Sequence, residues 1–148
     1  MKASKACAVV LRDASAEYSI LAFRHPLAGC QLVKGTIEVS ESPQQAAVRE
    51  LLEEAGVAAV AFSELGTWDS EFENQVWSFQ VCRPSTQLPD TWTYRCTDDG
   101  GLDFAFFWQP LEQQPNLEWH PVHARAFTFV RSVLTIRSRD DVAEATRP

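Results

Sequence analysis

The sequence predicts an α/β protein in which a mixed β-sheet lies between helices. Three observations carry that expectation: short apolar runs rich in β-branched and aromatic residues, two segments with helical periodicity, and the interleaving of both along 148 residues. A chain of this length can bury roughly 68–70% of its unfolded surface, sufficient for one core without disulfides or structural metals. One domain over residues 1–138 is expected, followed by a polar tail over 139–148.

The first elements are extended. Ala6–Arg12 and Tyr18–Arg24 are apolar runs separated by the polar connection Asp13–Glu17, and read as two strands joined by a turn. Cys30–Val33 is a further short strand. Ser42-Pro43 then marks a helix start, because serine caps free backbone N–H groups and proline is preset for the first turn. Gly56 stands where a left-handed cap ends it, giving a helix over residues 43–55.

At about 100° per residue, Val48, Leu51, Leu52 and Ala55 gather on one arc of that helix and Glu50, Glu53 and Glu54 on the other. After it, Ala58–Trp68 and Asn74–Arg83 read as strands. Phe104–Trp108 is apolar throughout and is expected to be buried on both faces. Between them, Pro84 to Gly101 reads as a long polar connection. From Pro121, the recurrence of Ala126, Phe127, Val130, Val133 and Leu134 predicts an amphipathic helix ending near Arg137.

Composition narrows the function classes. The net charge of −7 opposes an extended nucleic-acid surface but not a small phosphorylated substrate that arrives with cations. Cys7, Cys30, Cys82 and Cys96 show no C-x-x-C pair and no zinc spacing. The N-terminus lacks the apolar core of a signal peptide, and no run approaches a membrane span. Reduced thiols in a cytoplasmic protein are the expectation.

Three carboxylates at i, i+3 and i+4 repel by about 0.2–0.5 kcal/mol per pair, and two of them stand in the last turn, where the helix dipole favours cations. A solvated helix face is the ordinary explanation of such a cluster. The alternative is a hard divalent cation, since Mg²⁺ takes oxygen ligands, binds through a few carboxylates and water, and completes its shell with phosphate oxygens.

The spacing decides between these. Gly35, Glu41, Arg49-Glu50-Leu51, Glu53-Glu54 and Gly56-Val57 fall at the positions of the Nudix box, and the segment GTIEVSESPQQAAVRELLEEAGV resembles it throughout. At roughly 6% usage per residue type, such a match arises by chance on the order of 10⁻⁸ per chain, so coincidence does not compete. The resemblance implies the α/β/α sandwich of the Nudix fold and a Mg²⁺-dependent pyrophosphohydrolase, with Mn²⁺ able to substitute. Its substrate would be a nucleoside diphosphate linked to another moiety.

By resemblance, Arg49 orients the acids, Glu50, Glu53 and Glu54 bind metal together with Gly35, and Glu41 supports them. Glu53, Glu54, Arg49 and Glu41 are thus the catalytic candidates. Lys34, in a Lys-Gly pair similar to that of the diadenosine and inositol polyphosphate branch, and Arg24, at a strand end, are candidate phosphate contacts. For the general base two places stay open. One is a late-loop carboxylate, Asp98, Asp99 or Asp103, although acids beside Gly100-Gly101 also serve turn chemistry. The other is Glu53 or Glu54 in the helix itself.

The chain departs from many relatives at Val33, where they carry proline, and at Ser40, where they carry glycine. His25, His120 and His123 read as capping or surface packing, and Trp68, Trp77, Trp92, Trp108 and Trp119 as core or rim residues rather than base-stacking platforms. A Nudix-fold isomerase is disfavoured because nothing marks an isoprenoid pocket. A binding or regulatory Nudix module without hydrolysis is the competitor of another class, opposed by an intact box. The choice among dinucleoside polyphosphates, nucleoside triphosphates, nucleotide sugars and capped RNA ends stays open, as does a homodimer.

Overall fold

The computed structural model describes residues 1–14, 17–97, 100–137, 144 and 146. The strands divide into two sheets. One is mixed, in the order β5 (Val33–Thr36), β1 (Lys5–Val9), β7 (Val76–Pro84) and β6 (Ala59–Asp69). In it β1 runs parallel to β7 and antiparallel to β5. The other is antiparallel, in the order β2 (Leu11–Ala14), β3 (Glu17–His25), β9 (Leu102–Pro110) and β8 (Trp92–Cys96), with β4 (Gly29–Gln31) also paired to β3.

Strand alternation sorts the core into two halves, each roofed by one helix. Cys7 and Val9 of β1 join Trp77, Phe79 and Val81 of β7 beneath α2 (Pro121–Ile136). Ala6, Ala8 and Val10 point the other way and pack with Phe23, Phe104 and Phe106 beneath Ala46, Ala47, Leu51 and Ala55 of α1 (Pro43–Ala55). The α/β/α sandwich follows directly from this alternation.

Several expected elements differ in detail. The run Ala6–Arg12 splits between β1 and β2, so one apolar stretch serves both sheets, and Cys30–Val33 splits likewise between β4 and β5. Phe104–Trp108 lies in β9 but is not buried on both faces: Phe104 and Phe106 are buried while Ala105 is exposed. An antiparallel strand with one covered face alternates in this way. The polar connection Pro84–Gly101 contains the strand β8, whose Trp92, Tyr94 and Cys96 point inward; the alternation T-W-T-Y-R-C was its signal. The expected tail over 139–148 lies outside the described residues except at Glu144 and Thr146.

Helix α1 is bounded as its sequence requires. Ser42 and Gln45 form a reciprocal capping box, at 3.0 Å and 2.9 Å, and Gly56 takes the left-handed conformation at φ 70°. β8 closes the helix end, because the Trp92 indole donates to the Ala55 carbonyl at 3.1 Å. The Tyr94 ring lies against Gly56, where any Cβ would collide with it.

Candidate functional site

The Nudix-box segment leaves β5 at Gly35, loops through Glu41 and returns along α1. Arg49 is its organising cation. Its Nε and Nη2 donate to the two carboxylate oxygens of Glu41, at 2.7 Å and 2.9 Å. Nη1 donates to Glu50 at 2.8 Å and Glu53 at 3.2 Å, and Nη2 also reaches the Thr36 carbonyl at 2.8 Å. Such a fork needs a planar guanidinium; a lysine ammonium cannot reproduce it. Thr36 carried no sequence signal, since its contribution is a backbone carbonyl.

The electrostatics follow from this geometry. Arg49, helped by the Glu38 backbone N–H, holds the Glu41 carboxyl down at about 2. The acids in turn raise the Arg49 pKa, first through Glu41. Glu50 moves upward instead, because burial outweighs the pull of Arg49.

The helix faces differ from the even split expected of the pattern. Glu50 is buried among Ala46, Ala47, Leu51 and Ala55, Glu54 is half-buried, and Glu53 is exposed. Leu52, expected on the covered arc, is 52% exposed. The three acids therefore differ in burial along one edge of the helix: Glu50 turns in toward β5 and Glu53 out toward solvent, and Arg49 Nη1 bridges the two. Burying an acid costs several kcal/mol unless it is paired, and Arg49 supplies the pairing for Glu50.

Gly35 explains the inward turn. A Cβ on residue 35 would coincide with the Glu50 carboxylate, so only glycine lets that group lie against β5. The donor chemistry suits a hard divalent cation, with two carboxylates side by side over a backbone without a side chain. Among the described residues no group of three or more His, Cys, Asp or Glu side chains forms a ready cage. An ion here would draw the rest of its shell from water and phosphate oxygens, as Mg²⁺ usually does.

The other candidates are scattered. Asp98 and Asp99 lie outside the described residues. Asp103 is exposed on β9 and ion-paired at 3.2 Å with Arg95, which lines a cavity of about 380 Å³ with Leu52, Glu53, Tyr94 and Thr97. Arg24 pairs with Glu118 at 3.1 Å and touches none of the box acids. Lys34 lies opposite Cys7 in the β1–β5 register, hence on the α2 side of the sheet, with its ammonium 4.9 Å above the Trp77 ring.

The histidines divide. His25 closes a turn by accepting from the Leu27 N–H, and His120 is the N-cap of α2. His123 is neither a cap nor a surface group: it is 3% exposed, and its Nδ1 accepts from the Leu32 N–H at 3.0 Å. Burial holds its pKa well below the usual histidine value. All four cysteines are free and buried. Among the described residues no helix is long and apolar enough to cross a membrane.

An arginine clasping three acids of one loop-helix unit over a glycine matches the box geometry that the sequence implied. The chain belongs to the Nudix family: the NUDIX domain model matches residues 1–129. No curated protein matches the sequence significantly.

Solved structures share the fold. An ADP-ribose pyrophosphatase from Streptococcus suis superposes with a TM-score of 0.63 at 18% identity, over 91% of this chain and 92% of its own. A UDP-X diphosphatase gives 0.65 at 16% identity, over 91% of this chain and 64% of its own. The ORF135 protein of E. coli gives 0.62 at 22% identity, over 95% and 96%.

Proposed function

We propose that this protein is a Mg²⁺-dependent pyrophosphohydrolase, with Mn²⁺ able to substitute, that cleaves the P–O–P link of a nucleoside diphosphate joined to another moiety. The observation that carries the reading is Arg49 clasping Glu41, Glu50 and Glu53, with the Glu50 carboxylate laid over Gly35. Solved neighbours described as an ADP-ribose pyrophosphatase and a UDP-X diphosphatase support the substrate class.

Glu50 and Glu54 would hold the ion, with Glu53 and the Gly35 backbone as further ligands. When bound there, a divalent ion would neutralise charge on the diphosphate and lower the pKa of a bound water. Arg49 keeps the carboxylates fixed at no reorganisation cost during the reaction. In this reading Glu53, at the helix surface beside the cavity lined by Tyr94 and Arg95, would take the proton of the attacking water. Lys34 and Arg24 are proposed substrate contacts on the flanks.

The test is a melting experiment with and without Mg²⁺, joined to a panel assay of nucleotide-linked diphosphates. Mg²⁺ should raise the melting temperature of the wild type, because it binds the native state alone, and raise that of Glu54→Gln much less. Turnover of Glu54→Gln should fall by orders of magnitude. Equal Mg²⁺ responses would remove the ion from this helix. Nucleotide binding without turnover of any compound would favour a regulatory module.

A further inference from the structure

Across β5 from the carboxylates lies a second polar wall that the box does not include. Its frame is the hairpin Ser70–Gln75 between β6 and β7. Three non-glycine residues there are left-handed: Glu71 at φ 54°, Glu73 at 51° and Asn74 at 58°. Such conformations are unfavourable for L residues and persist only where the surroundings enforce them. Here the fully buried Ser70 enforces them. Its hydroxyl donates to the Gln75 carbonyl at 2.7 Å and accepts from the Phe72 N–H at 3.1 Å, while Arg125 holds the Ser70 carbonyl at 2.8 Å.

The hairpin presents Phe72, Glu73 and Gln75 beside Lys34 of β5 and His120 of α2. The Gln75 Oε1 accepts from the Trp77 indole at 3.0 Å and from the Lys34 ammonium at 3.4 Å. Both contacts fix which end of the amide is oxygen, so its NH₂ is the donor end, giving one hydrogen to a Glu73 oxygen at 3.5 Å and keeping a second to give. His120 accepts the Val122 N–H at Nδ1, at 3.2 Å, which in the neutral ring leaves the proton on Nε2. That Nε2–H has no partner among the described residues. The Phe72 ring meets the His120 ring edge-on at 5.7 Å and is itself only half-buried.

The wall therefore offers one aromatic surface, three sets of hydrogen-bond donors and a single carboxylate acceptor. Gly35 and Lys34 are consecutive residues on opposite faces of β5, and β5 is the edge strand of its sheet, so a ligand whose diphosphate lies at Gly35 can pass round that edge to bring its nucleoside to Lys34.

We infer that this wall reads the nucleobase of the substrate and selects bases with a keto oxygen beside a ring N–H, guanine or uracil, over adenine. The inference rests on the nucleoside-diphosphate reading above. A keto oxygen has two lone pairs and takes two of the donors, Gln75 with Lys34 or His120, while its neighbouring ring N–H is given to Glu73. Adenine offers a single lone pair on that edge and an amino group, and leaves a half-buried donor unpaired. Sites built around hydrogen bonds discriminate strongly against ligands that cannot complete them.

The test is metal-free binding, measured by titration calorimetry of the full chain in EDTA with UMP, GMP and AMP, and with inorganic phosphate as competitor. Wild type should bind UMP and GMP at least tenfold more tightly than AMP. Gln75→Glu, which still accepts from Trp77 but loses the NH₂ donors, should remove that ratio. His120→Ser keeps a helix cap, lacks the distal N–H and should narrow it.

AMP binding as tight as UMP or GMP, no binding of any of the three, or a base preference that survives both substitutions would overturn the inference. So would phosphate displacing all three nucleotides equally with no preference among them, since the donors would then be holding phosphate. Failure of every Mg²⁺-supported hydrolysis, with the base preference intact, would refute the proposed reaction and not this wall.

Discussion

Replacing Gly35 with alanine separates the fold from the ion site. The new Cβ falls on the Glu50 carboxylate, the mobile end of a flexible side chain, so Glu50 swings out and the backbone stays. What is lost is the 2.8 Å hydrogen bond to Arg49, about 1.5–3 kcal/mol for a charged pair. Two gains offset it. Glu50 escapes a site whose burial already raises its pKa, and alanine in place of glycine lowers unfolded-chain entropy by ~0.4–1 kcal/mol. The net cost is therefore about 1 kcal/mol, a fall of roughly 2–4 °C in melting temperature for a domain of this size.

The response to Mg²⁺ should change far more. An ion present at one hundred times its dissociation constant stabilises the native state by about 2.7 kcal/mol, roughly 5–10 °C, and Gly35→Ala should forfeit most of that. Scanning calorimetry of both proteins at pH 7.5, in EDTA and in excess Mg²⁺, reads the two effects separately. A full Mg²⁺ rise in the variant would refute the role given to Glu50. A collapse of more than about 10 °C in EDTA would refute the claim that only a side chain moves.

His123 stays neutral in the fold while the unfolded chain protonates near pH 6.5. Stability should be complete above that pH and fall as acid is added, by up to ~1.4 kcal/mol per pH unit. Urea denaturation between pH 7.5 and 5 should show this slope, reduced in His123→Gln; Glu50, with a raised pKa, pulls weakly the other way, and Glu41 acts only from about 4.5 down to about 2. Ser40, at φ 69°, stands where many relatives carry glycine, so relief of left-handed strain should outweigh added chain entropy in Ser40→Gly and raise urea stability by up to about 1 kcal/mol; a clear loss would contradict the strain. With the base in the helix, Asp103→Asn should keep turnover within a few-fold at saturating Mg²⁺, and a loss of roughly 10²-fold or more would move the base to β9.

What the chain revealed unaided depended on whether each signal was local. The ends of α1 were legible because caps are written in adjacent side chains, Ser42 with Pro43 and then Gly56. β8 was missed although its alternation is local, because five residues inside a connection rich in proline and acids read as loop until Trp92 and Tyr94 are seen to cover the helix end. The division of Ala6–Arg12 between two sheets was invisible for another reason: alternation gives the face of each residue but not the strand beside it.

The box acids show the limit most sharply. Hydrophobic periodicity set Leu52 inward and Glu50 outward, and the structure does the reverse. A helix face is chosen by total free energy, in which one leucine contributes about 1.5–3 kcal/mol on burial. An arginine partner at 2.8 Å offsets the cost of burying Glu50, and the missing side chain at Gly35 leaves the room for it, so the acid takes a covered position. The spacing of Gly35, Arg49, Glu50 and Glu54 carries this information where the polarity of any one position does not. Sequence reasoning therefore named residues that the fold brings together around Arg49 while misjudging how deeply Glu50 and Leu52 are covered.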